Sequence, residues 1–69
     1  MLAVIRADAS TSIGSGHVMR CLTLAHRLKK EKNAKVVFVM RVLSGNLIGV
    51  VEKQGFEVLK LPPANQNIV

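Results

Sequence analysis

Three short apolar runs separated by two stretches of helical periodicity constrain the fold of this chain more than any other feature. Residues 2–7 are apolar until Arg6, residues 35–40 are a β-branched run, and residues 56–61 read Phe-Glu-Val-Leu-Lys-Leu before Pro62-Pro63 stops them. Runs of this length, rich in Val, Ile and Phe and bounded by turn residues, are strands. Between the first two, Val18, Cys21, Leu22, Ala25 and Leu28 recur at i, i+3, i+4 and i+7. That spacing predicts a helix over 16–31 with one buried stripe. Ser15 is placed to cap it through its hydroxyl, and Asn33-Ala34 ends it. A second helix is expected at about 45–54, capped by Ser44, with Leu47, Val50 and Val51 inward and Gly55 just past its end.

Strands alternating with helices imply parallel pairing through crossovers. The expected fold class is therefore α/β: a Rossmann-like βαβαβ unit of a three-layer architecture with a parallel sheet. A unit that advances in one direction carries both helices on one face. Strands one and two are apolar without clean alternation, as in strands covered on both faces. No helix is left for the second face. The reading is thus of an N-terminal part of a Rossmann-like domain, completed by a further domain or a partner chain that covers the sheet. Strand three alternates better and is expected at an edge.

Sixty-nine residues hold at most one small domain. Cys21 is the single cysteine, so no intrachain disulfide supports the core. A free thiol, with no signal-peptide pattern at the N-terminus, fits a reducing cytoplasm. No stretch approaches the roughly 20 apolar residues of a membrane span. The formal charge of +6 suits an anionic partner. However, the basic residues cluster as Arg27, Lys29, Lys30, Lys32 and Lys35, where the end of a helix favours cations without any ligand.

The stretch that carries chemistry is Ile13-Gly14-Ser15-Gly16-His17-Val18-Met19-Arg20. It follows strand one, and ligands bind beyond the carboxyl ends of strands in open α/β sheets. Gly14 and Gly16 permit a tight turn and close backbone approach. The helix start after them favours an anion. The match to phosphate loops is partial: G-x-G-x-x-G fails at Met19, position 41 is Arg where a ribose-binding acid would stand, and no Walker Gly-Lys-Ser/Thr follows. An ordinary strand-to-helix turn accounts for the glycines equally well.

His17 is the candidate base. The positive end of a helix disfavours a second positive charge, and a neutral imidazole can accept a proton. The alternative is a histidine that merely hydrogen-bonds within its own turn. Asp8 either orients His17, holds a substrate hydroxyl, or forms an Asx-turn with Ser10. Arg6 and Arg20 either balance anionic charge or pair with a local acid. His26 reads as structural and Cys21 as a core thiol. Two histidines and one cysteine at unrelated positions suggest no metal site, and no cofactor is expected.

Residues 5–10 and the stretch Ile13-Gly14-Ser15-Gly16-His17-Val18-Met19-Arg20-Cys21-Leu22-Thr23-Leu24-Ala25 closely resemble the opening of the UDP-sugar hydrolases of pseudaminic acid biosynthesis, and the related spore-coat polysaccharide proteins. The Asn46-Leu47-Ile48 helix and the Gly55-Phe56 step are similar as well. The resemblance implies a GT-B-like fold of two Rossmann-type domains. It implies hydrolysis of a UDP-linked 2,4-diacetamido-2,4,6-trideoxy hexose by water attack at the anomeric carbon, with inversion and no required metal. His17 then stands at the position of the base, and Asp8, Gly14 and Gly16 line the sugar and pyrophosphate side. Val42 and Ser44 depart from the acid and proline expected after Arg41. The family's second domain supplies most uridine and diphosphate contacts, so these residues alone are expected to bind and turn over UDP-sugar poorly.

Two other functions fit parts of the sequence. A GT-B glycosyltransferase would use the same histidine on an acceptor hydroxyl. A basic module for RNA or another polyanion would use the charge, but Phe38 and Phe56 are the only aromatics and both read as strand core, which makes nucleic acid a poor fit.

Overall fold

A computed structural model describes residues 1–63. The elements follow in the order β1 (Leu2–Arg6), α1 (Gly16–Lys32), β2 (Lys35–Arg41), α2 (Ile48–Lys53) and β3 (Glu57–Leu61). The strands form one parallel sheet in the order β1-β2-β3, with Leu2 beside Lys35 and Val37 beside Glu57. The chain is an α/β Rossmann-like βαβαβ unit.

Pleating puts alternate residues on opposite faces. One face carries Ala3 and Ile5 of β1, Val36, Phe38 and Met40 of β2, and Val58 of β3. These pack with Val18, Leu22 and Ala25 of α1 and Ile48 and Val51 of α2 in a single core. Both helices therefore lie on this face, and the described residues supply two layers of the three. Phe38, Met40, Val18 and Val51 are the largest side chains wholly out of solvent. His26 of α1 bonds Gln54 at the end of α2 (2.9 Å) and meets the Phe56 ring edge-on with centroids 4.9 Å apart. That contact fixes the two helices side by side.

The opposite face is bare. Leu2, Val4 and Leu59 are 63%, 61% and 52% exposed, around a buried Val37. β1 and β3 are both edges of the described sheet, and β3 stands at one as its alternation predicts.

The helix ends depart from expectation in instructive ways. Ser15 is the N-cap of α1, but its hydroxyl makes no capping bond; its carbonyl receives the Met19 N–H instead. At the other end Asn33 takes the left-handed conformation (φ 51°), the usual C-terminal device. α2 is shorter than the predicted 45–54. Ser44 does not cap it. Asn46 Oδ1 accepts the Ile48 N–H (3.0 Å) while its Nδ2 donates to the Leu43 carbonyl, so an Asx turn consumes the expected first helical turn. The later start turns Ile48 and Val51 inward and leaves Val50 exposed. Among the described residues no helix is long and apolar enough to cross a membrane.

Candidate functional site

Parallel strands place all their carboxyl ends along one edge of the sheet. The β1–α1 loop (7–15) and the β2–α2 loop (42–47) meet there, as do the first turns of both helices. Thr11 N–H donates to the Ser44 carbonyl (3.0 Å) and ties the loops together. Gly45 sits against this junction with φ +77°. A Cβ at Gly45 would lie 2.7 Å from Thr11 Cγ2 and 2.8 Å from Thr11 N, closer than real atoms approach. Glycine is thus required twice over at this point, for its torsion and for the space.

Asp8 is the second tie. Its Oδ1 accepts the Arg41 backbone N–H at 2.8 Å, and its Oδ2 accepts Arg6 Nη2 at 2.8 Å. Partial burial pushes the Asp8 carboxyl's pKa up. The Arg41 amide, the Arg6 hydrogen bond and the charges of both arginines outweigh burial and hold it below its ordinary value. Asp8 forms no Asx-turn with Ser10 and is not bonded to His17. The turn belongs to Ser10, whose own Oγ accepts the N–H groups of Ser12 (3.1 Å) and Ile13 (2.9 Å). Arg6 takes the local acid as partner, and the Arg41 guanidinium donates to the Pro62 carbonyl.

Gly14 follows with φ +86° in open space, and its N–H donates to the Ser10 carbonyl. Gly16 needs no positive φ; it is the first residue of α1, with the Arg20 guanidinium leaning toward it. Arg20 makes no ion pair among the described residues. His17, in the first turn of α1, is exposed. Its Nε2 lies 3.6 Å from Cys21 Sγ, one turn along the same helix. Side chains on a helix lean toward its N-terminus, which brings Sγ over the turn that carries His17. Cys21 is accordingly half-buried at the margin of the core and is not the enclosed thiol its place in the stripe suggests.

The edge thus gathers Arg6, Asp8, Gly14, Ser15, Gly16, His17 and Arg20, with Asp8 anchored to the neighbouring strand and His17 open to solvent. Arg41 and Gly45 complete it and escape the sequence reading. The only signal for Gly45 is the Ser-Gly-Asn turn, and nothing in a sequence marks a backbone N–H as a carboxylate's partner. Among the described residues no three of His, Cys, Asp or Glu are grouped to hold a metal ion. A cavity of about 290 Å³ lined by Lys29, Ala34, Lys35 and Phe56 lies at the opposite end of the sheet.

No family model matches the chain, and no solved structure does. Uncharacterized protein MJ1062 of Methanocaldococcus jannaschii is 34% identical over 65 residues, a stretch that covers 94% of this chain and 13% of that protein. The chain therefore spans about an eighth of the length of the curated relative it matches.

Proposed function

We propose that this chain is the N-terminal part of a GT-B-like enzyme that hydrolyses a UDP-linked 2,4-diacetamido-2,4,6-trideoxy hexose in surface-polysaccharide biosynthesis in the cytoplasm. His17 takes a proton from water as the water oxygen bonds the anomeric carbon. The bond from that carbon to the pyrophosphate oxygen breaks, UDP leaves, and the configuration inverts. Asp8 and Arg6 hold the loop that meets the sugar, while Gly14, Ser15, Gly16 and Arg20 face the pyrophosphate. The observation that carries this reading is an exposed imidazole in the first turn of α1, at the carboxyl edge of a parallel sheet, after a glycine turn. The resemblance of residues 5–25 supplies the substrate.

In its present rotamer Nε2 faces Cys21, so the ring acts from Nδ1, or from Nε2 after a turn that its exposure allows. The bare sheet face suits cover by the rest of such an enzyme or by a partner chain, and residues 1–69 alone are expected to release little UDP.

The test is UDP release by the natural gene product. His17→Ala should lower it at least about a hundredfold, the lower end of what a positioned base contributes, with an unchanged circular dichroism spectrum. Turnover retained in that variant removes His17 from the mechanism.

A further inference from the structure

The cavity at the amino end of the sheet has no part in the sugar-nucleotide reading. It lies where the last turn of α1 meets the first residues of β2 and β3, and its volume is about 290 Å³. Ligand pockets run from about 300 Å³ upward, so this one suits a small molecule. Ala34, Val36 and Phe56, all buried, give it an apolar lining. Lys29, Lys35 and Glu57 give it charge. Glu57 Oε1 stands 3.7 Å from Lys35 Nζ and offsets that ammonium. Lys29 makes no ion pair among the described residues. Its Nζ sits 5.7 Å from the centroid of the Phe56 ring, and attraction to the ring face holds it at the cavity wall. The ring is itself fixed by His26 and Phe38, at centroid distances of 4.9 and 5.6 Å. The helix end alone accounts for cations in this region, but not for an apolar recess beside one of them.

We infer that this cavity binds a small monoanion with an apolar body, of the class of aromatic or branched monocarboxylates. The carboxylate meets Lys29 Nζ in a charge-assisted hydrogen bond, and the body lies on Ala34, Val36 and Phe56. Two ammonium groups against one carboxylate leave the wall a single surplus positive charge, which one carboxylate neutralises. A dianion would bring its second charge toward Glu57 and toward the last carbonyls of α1, the negative end of the helix dipole. A cation would meet both lysines, and a neutral molecule would leave Lys29 unused. The site is separate from UDP-sugar hydrolysis, because the length of β2, about 20 Å, lies between the two ends of the sheet.

The test is titration of the full-length gene product with 4-fluorobenzoate at neutral pH, followed by broadening of the fluorine NMR line. Lys29→Gln should raise the Kd at least about tenfold, the loss of one hydrogen bond between charged groups. Lys29→Arg keeps the charge and its hold on the ring and should bind nearly as wild type does. Lys30→Gln, one residue along the helix and outside the cavity lining, should leave the Kd unchanged. The neutral analogue 4-fluorobenzamide should bind at least about tenfold more weakly. Excess UDP should not displace the probe. A line that wild type leaves unbroadened would overturn the inference. So would equal losses in Lys29→Gln and Lys30→Gln, equal binding of the amide, or displacement by UDP. UDP release reads the other end of the sheet, so either reading can fail without the other.

Discussion

Gly45→Ala and Gly14→Ala place the same methyl group on nearly the same backbone torsion, φ +77° and +86°, in two different surroundings. An L-residue in the left-handed region costs about 1–2 kcal/mol. At Gly14 that is the whole penalty, because nothing lies within 4 Å of the new Cβ. At Gly45 the methyl also meets Thr11 Cγ2 at 2.7 Å and Thr11 N at 2.8 Å. The second of these is backbone, tied by its own hydrogen bond to Ser44, and cannot swing aside. Overpacking of this kind adds about 1–3 kcal/mol. The expected losses are about 1–2 kcal/mol for Gly14→Ala and about 2–5 kcal/mol for Gly45→Ala. Urea unfolding followed by circular dichroism measures both. With a slope near 1 kcal/mol per molar for a small chain, the Gly45 midpoint should fall about 1–3 M further than the Gly14 midpoint, or the variant should be unfolded without urea. Thr11→Ser removes Cγ2 but keeps the amide, so it should recover only part of the difference. Equal losses at the two glycines would refute the claim that the loops are in contact at this point.

Asp8→Asn keeps an acceptor for the Arg41 amide but gives up the charge. It should cost about 1 kcal/mol at neutral pH, discounted because Arg6 is half exposed. Since the folded carboxyl's pKa lies below the unfolded one, its contribution is complete above the ordinary aspartate value of about 4 and disappears as pH falls through the folded value. Urea midpoints of wild type and variant should therefore differ at neutral pH and converge once the pH has fallen below the carboxyl's lowered folded value. Phe38→Ala empties the centre of β2, where the ring is wholly buried against Phe56 with centroids 5.6 Å apart. It should cost about 3–5 kcal/mol and abolish the cooperative thermal transition.

Element type and order were legible because period and length leave little choice. The β-branched run 35–40 can be little else than a central strand, and the Val18-Leu22-Ala25 stripe can only face a core. The start of α2 was not legible. Ser44 and Asn46 are both good caps, and in the structure Asn46 takes the Ile48 N–H while the Ser44 carbonyl bonds Thr11, a residue from another loop. The site divides in the same way. His17 and Gly14 announce themselves through local spacing, and Arg6 is a near neighbour of Asp8, whereas Asp8's bond to the Arg41 amide is set by strand register, which brings together residues far apart in sequence. Cys21 fits the inward stripe by position, yet the lean of helical side chains carries its sulfur to the rim.

The all-parallel ladder also has a kinetic consequence. It pairs Leu2 with Lys35 and Val37 with Glu57, so each bond between strands must await closure of a long crossover. Only the helices, α1 above all, can begin to form from nearby residues alone. Assembly should then wait on the middle strand, which must gather both of its neighbours, giving folding slower than a helical bundle of equal length would show.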